Sequence, residues 1–272
     1  MEAESKQISG GKEKMAMGTA MSAVAVGVVI SVVALVASTA VASGGWQIAD
    51  ATFYGDMSGR ATMGGDCGYS DLFAQGYGLA NTAVSGVLFN NYETCGACYE
   101  VRCFNDTRRC RPGSSIMVTV TSLCPPDPKL PGGGLCQPPR KHFDMSEAMY
   151  TRIATTPYAG SIPIQFRRVA CVKDGGIKFQ IKGNPWWILV LVYNVGGSGD
   201  VASVAVRGSS GSGAWTPMER EWGQNWQITK TPELMGQALS FQVTTGDGRV
   251  VQSEDVAPAH WQFGQIFEGG QF

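Results

Sequence analysis

All 8 cysteines of the chain fall between Cys67 and Cys171, and none follows. An even number crowded into one stretch reads, in an oxidising compartment, as a disulfide framework stapling a loop-rich fold. Eight cysteines admit on the order of a hundred connectivities, so spacing alone does not choose among them. The run Cys95-Gly96-Ala97-Cys98 also has the spacing of a zinc or redox pair. No second such run occurs and the chain holds only 2 histidines, so no metal and no cofactor is expected.

The ends of the chain support the oxidising compartment. Lys12 and Lys14 precede a long apolar run, residues 15–41, that closes on the small residues Ala40-Val41-Ala42-Ser43. That is the pattern of a secretory signal peptide over residues 1–43, although the run is also long enough to stay as an uncleaved anchor. Either way the remainder is expected outside the cell, with no membrane contact after cleavage. Asn105-Asp106-Thr107 is a glycosylation sequon at Asn105, consistent with that route. The leader carries equal numbers of Lys and Glu, so the net charge of -1 survives its loss. No basic stripe interleaved with aromatics is present, which argues against nucleic acid. Nothing signals oligomerisation, and a monomer is expected.

The cysteine boundary also divides the strand pattern. Up to Cys171 the text is rich in glycine and loops, with short β segments at residues 115–121 and 162–169. Beyond Gly176 it turns to strands at 177–181, 187–195 and 201–206, and then a hairpin of 238–245 and 249–253 around Gly246-Asp247-Gly248. Such spacing describes a β-sandwich. Only residues 145–154 and 83–90 look helical. Two β-rich domains are expected, 44–172 and 175–272, joined by a very short linker.

Within the first domain, Lys141-His142-Phe143-Asp144 places a carboxylate two residues beyond one of the histidines. In an extended strand His142 and Asp144 project to one face and Phe143 to the other, which is how a strand presents an acid to a cleft. The bland alternative is a surface pair beside a helix start, with Asp144 or Ser146 as its cap.

The segments Ala51-Thr52-Phe53-Tyr54-Gly55, Thr62-Met63-Gly64-Gly65, Cys67-Gly68-Tyr69, Cys95-Gly96-Ala97-Cys98, His142-Phe143-Asp144, Val195-Gly196-Gly197, Trp222-Gly223-Gln224-Asn225-Trp226 and Phe263-Gly264-Gln265 occur in this order. Together they resemble the plant alpha-expansins over essentially everything after the leader. The resemblance implies an all-β protein: a six-stranded double-psi β-barrel akin to glycoside hydrolase family 45, then an immunoglobulin-like cellulose-binding sandwich. It implies the bridges Cys67 to Cys95, Cys98 to Cys171, Cys103 to Cys110 and Cys124 to Cys136. It further implies a plant cell-wall protein that loosens contacts between cellulose and matrix glycans such as xyloglucan, at acid pH and without hydrolysis.

Residue by residue, Asp144 inherits the position of the general acid of the family-45 hydrolases, with Thr52, Tyr54 and His142 beside it. Inverting hydrolysis needs a second carboxylate, roughly 6.5–9.5 Å away, and expansins lack that base. Asp56 stands where the hydrolases keep theirs, so a weak endo-β-1,4-glucanase using Asp144 and Asp56 is the alternative. Against it, Gly55-Asp56-Met57-Ser58-Gly59 reads as a solvated turn. A passive, lectin-like wall binder is the third reading. Trp186, Trp187 and Trp222 match planar polysaccharide-binding aromatics, but neighbouring Trp186 and Trp187 can share a face only at a bulge or strand start. For one of these and for Trp226 a core position is the competing reading. Asp50, Asp66 and Ser122-Leu123 depart from the family pattern.

Overall fold

Strand β1, Gln47–Tyr54, sets Ala49, Ala51 and Phe53 on one side and Asp50, Thr52 and Tyr54 on the other. A period of two is what lets one face of a strand enter a core while the other stays polar. The computed structural model describes residues 45–210, 213–229 and 232–272, so the expected signal peptide lies outside the described residues. β1 is joined by β2 (Asn81–Ser85), β3 (Cys98–Cys103), β4 (Ile116–Cys124), β5 (His142–Ser146) and β6 (Ile162–Val169). They close into a barrel in the order β1-β5-β2-β4-β3-β6. β1 runs parallel to β5 and β2 parallel to β4, and the remaining neighbours are antiparallel. This is the six-stranded double-psi barrel.

The barrel's interior takes Ala51, Val84, Val101, Val120, Phe143, Met145, Ile164 and Phe166, all 0–1 % exposed. Tyr99, Phe143 and Phe166 meet there with ring centroids 4.9–5.8 Å apart. Each such ring buried contributes about 1.5–3 kcal/mol. Two of the sequence expectations change at the helices. Residues 83–90 are not one helix: β2 continues through Ser85, and only the single turn α1, Gly86–Phe89, follows. Met145 and Ser146 still belong to β5, so α2 is shorter than expected, Glu147–Ile153, and Ser146 Oγ caps it by accepting from the Met149 amide.

The second part stacks two sheets. One has the order β11-β12-β8-β7-β15, from Glu219–Trp222, Asn225–Ile228, Trp187–Tyr193, Lys178–Asn184 and Ile266–Glu268. The other has the order β10-β9-β13-β14, from Thr216–Pro217, Val201–Gly208, Leu239–Thr245 and Val250–Ala257. Between them Phe179 of β7 stacks on Phe241 of β13 at 4.5 Å, among Ile181, Ile188, Val190, Val204 and Val243. Adjacent residues of β8 point oppositely, and Leu191 and Tyr193 therefore leave the sandwich core and join the apolar cluster of the barrel.

Barrel and sandwich are thus sewn together along a seam. Cys171 and Gly197 exchange two backbone hydrogen bonds, 2.7 and 3.0 Å. Arg168 pairs with Asp200 at 2.8 Å and donates to the Ser198 carbonyl, also at 2.8 Å. Gln224 donates its amide to the Cys67 carbonyl and its side chain to the Cys95 carbonyl, both 2.9 Å. Four disulfides link Cys67 to Cys95, Cys98 to Cys171, Cys103 to Cys110 and Cys124 to Cys136, the pairs implied by the resemblance. The second of them ties β3 to the residue where the barrel ends.

Candidate functional site

The parallel register of β1 on β5 sets Asp50 beside His142, Thr52 beside Asp144 and Tyr54 beside Ser146. These side chains lie on the side opposite to Ala51 and Phe143, so Thr52 and Tyr54 point away from the apolar barrel core. Thr52 Oγ1 donates to Asp144 Oδ1 at 2.6 Å and stands 2.8 Å from His142 Nε2. One hydroxyl has one proton. With that proton on the carboxylate, His142 donates Nε2–H to Thr52, which fixes the tautomer. His142 Nδ1 is left buried with no partner among the described residues.

Burial pushes the Asp144 carboxyl above its ordinary value, and the Thr52 hydrogen bond opposes that rise. Burial also depresses His142, to about 4, despite the pull of Asp50 in the other direction. Tyr54 is pushed up to about 12, by burial first and then by the negative charges of Asp144 and Asp66. Its hydroxyl reaches Asn81 Oδ1 at 3.4 Å. Asp144 therefore keeps its proton more readily than a carboxyl in water does.

Asp56 sits elsewhere in character. Gly55, at φ +75°, ends the alternation of β1, and a side chain there would strike Thr62 at 2.7 Å. Asp56 follows in an exposed loop, where its carboxylate accepts from the Ser58 amide at 2.8 Å and from the Ser58 hydroxyl. Those bonds hold its pKa below the ordinary value.

On the sandwich, β7 and β8 are joined by the two-residue turn Pro185-Trp186, which is how two neighbouring tryptophans part company. Trp186 is 71 % exposed at the tip, its amide donating 2.9 Å to Asn184 Oδ1. Trp187 opens β8 on the outer face, half-buried, and donates Nε1–H to Gln227 at 2.7 Å. Trp222 is 41 % exposed and in register with Asn225, itself paired with Leu191 of β8. Trp187 and Trp222 therefore share one sheet face, four residues apart along β8, about 14 Å. Trp226 turns inward and is buried beneath Arg220, whose guanidinium lies 4.3 Å from its ring centre. Asn105 lies with a positive φ of 58° between Cys103 and Cys110, at a loop on the barrel.

Several cleft residues escaped the sequence reading. Thr82 Oγ1 donates to the Asp144 carbonyl at 3.1 Å, and Ser85 Oγ accepts the His142 amide at 3.1 Å. Asn81, Thr82 and Ser85 lie with Ala83 and Val84 on one short strand that is wholly buried, and the sequence carries no signal of that burial.

A double-psi barrel with a desolvated acid in its outer cleft, seamed to a sandwich that carries tryptophans on an outer sheet, defines a class of two-part barrel-and-sandwich proteins. The chain belongs to the expansin family, in the alpha (A) subfamily. Its residues 177–258 match the family model described as the expansin C-terminal domain, and residues 81–166 match the one described as lytic transglycolase, a double-psi barrel. Expansin-A23 of Arabidopsis thaliana is 48 % identical over 224 residues, 82 % of this chain and 79 % of that protein. Expansin-A32 of Oryza sativa subsp. japonica is 47 % identical over 229 residues, 83 % of this chain and 84 % of that one. Among solved structures, apo expansin of Clavibacter michiganensis shares the fold at TM-score 0.61 and 21 % identity, covering 83 % of this chain and 96 % of its own. A mutant of the same bacterial protein in complex with cellohexaose matches at TM-score 0.60 and 21 % identity, covering 82 % of this chain and 95 % of its own.

Proposed function

We propose that this protein is secreted, loses residues 1–43, and loosens the plant cell wall by gripping β-1,4-glucan and weakening its non-covalent contacts with matrix glycans such as xyloglucan. The two parts, 44–172 and 175–272, act together as a monomer: the cleft holds a chain while Trp186, Trp187 and Trp222 stack on flat sugar faces. The observation that carries the reading is the pairing of Thr52 with a desolvated Asp144. A carboxyl whose pKa is raised is protonated over a wider acid range, and only the protonated form donates a hydrogen bond to a glycosidic or hydroxyl oxygen. Acid dependence follows from that step.

Hydrolysis needs a base as well as an acid, and a missing base forfeits about 10²–10⁴ in rate. Asp56 is occupied in its own turn, in solvent, with its pKa lowered. The protein is therefore proposed to bind glucan without cutting it. Family membership and the cellohexaose complex of the bacterial relative support a glucan as the target.

The test is the extension of heat-inactivated wall strips under constant load, at about pH 4.5 and at neutral pH, a span that brackets a raised carboxyl. Immediate creep confined to acid, with no reducing sugar in the bath, is expected. Asp144→Asn should keep wall binding and lose most of the creep. Reducing ends released by the wild type and abolished by Asp56→Asn would replace this reading with the glucanase.

A further inference from the structure

Asp66 is exposed, yet half of its carboxylate is fixed in place. Oδ2 accepts hydrogen bonds from Ser122 Oγ at 2.9 Å and from the Leu123 amide at 3.1 Å, and the Asp66 amide donates back to Ser122 Oγ at 3.2 Å. Oδ1 has no hydrogen-bond partner among the described residues. Asp66 and Ser122 stand 56 residues apart in the chain, and the closed barrel bonds them to each other.

The segment that carries Asp66 lies directly under the β11–β12 turn. A Cβ placed on Gly68 would stand 2.4 Å from the Trp222 ring, so the indole rests on bare backbone. One placed on Gly223 would stand 2.8 Å from the Asp66 carbonyl, and Gln224 bonds to Cys67 between them. The Asp66 charge is also among the smaller causes that raise the Tyr54 phenol.

We propose that Asp66, held by Ser122, is a glucan-binding residue that forms a subsite at the seam, with Oδ1 accepting hydroxyls of a glucose unit lying between Trp222 and the cleft. A β-1,4-linked glucose has apolar faces and a rim of equatorial hydroxyls. A site for it needs a ring to stack on and an acceptor at the rim, and Trp222 and Asp66 supply the two. Fixing the carboxylate beforehand removes the cost of ordering it on binding. The inference rests on the glucan reading above and adds the link between its two halves, so that one chain can run unbroken from sheet to cleft.

Calorimetric titration of the mature chain with cellohexaose and with cellotriose, a length the sheet can hold without reaching the barrel, tests it. Asp66→Ala should weaken cellohexaose about five- to tenfold, the loss of one or two hydrogen bonds to a charged acceptor, and leave cellotriose unchanged. Asp66→Asn, which keeps an acceptor, should fall between, and Ser122→Ala should cost about two- to threefold by freeing the carboxylate. Undiminished cellohexaose binding by Asp66→Ala would overturn the subsite while the glucan reading stands. An equal loss with both oligosaccharides would mark a structural role and overturn it too. A wild type that binds neither sugar would remove the glucan reading, and the subsite with it.

Discussion

Thr52 serves two neighbours with one hydroxyl, giving its proton to Asp144 and receiving one from His142. Because its bond lowers the pKa that burial raises, Thr52→Val should move Asp144 further up and extend the creep profile to higher pH. Creep measured across pH checks this directly. His142 makes a separate prediction about stability. Its folded pKa of about 4 lies below the ordinary 6.5, so the unfolded chain binds the proton more readily between those values. The stability contributed by the buried neutral ring is present above pH 6.5 and lost as pH falls toward 4, about 3 kcal/mol in all. Denaturant melts should show that decline, and His142→Gln should flatten it. His142 and Asp144 could be placed on one face from sequence because a strand alternates. Ser85, which accepts the His142 amide from 57 residues away, could not, because only the closed barrel brings β2 to β5.

At the scale of elements, the strands were legible wherever one face is apolar: residues 162–169 were expected as a strand and are β6, Ile162–Val169. What the pattern could not show was where a strand passes into a helix without a loop, as β5 does at Ser146 and β2 at Ser85. Residues 83–90 misled because Ala83-Val84 and Val87-Leu88-Phe89 have helical spacing, whereas pairing with β4 and β5 overrides it. Trp222 and Trp226 likewise had ambiguous facing until Gly223-Gln224 turned the chain between them. That turn depends on Gly68, at φ +77°, lying flush beneath the Trp222 ring. Gly68→Ala should destabilise the protein by about 1–3 kcal/mol, since the new methyl would stand 2.2 Å from Asn225 Nδ2 and 2.4 Å from the indole. A thermal melt reports the loss, and weaker cellohexaose binding should accompany it as Trp222 is displaced.

For the molecule as a whole, the seam predicts one cooperative unit. Leu191 and Tyr193 of the sandwich are buried within the barrel's apolar cluster, each contributing about 1.5–3 kcal/mol that a separated sandwich would forfeit. The mature chain should therefore give a single calorimetric transition, and residues 175–272 expressed alone should melt at lower temperature. Two transitions in the intact chain would contradict this. The seam has a mechanical meaning as well. Paired backbone bonds at Cys171 and Gly197, the Gln224 clamps and the indole resting on Gly68 tie the two halves together at three places. Under the proposed function such a body acts as a stiff wedge, and the work of sliding one polymer past another would come from the tension already in the wall.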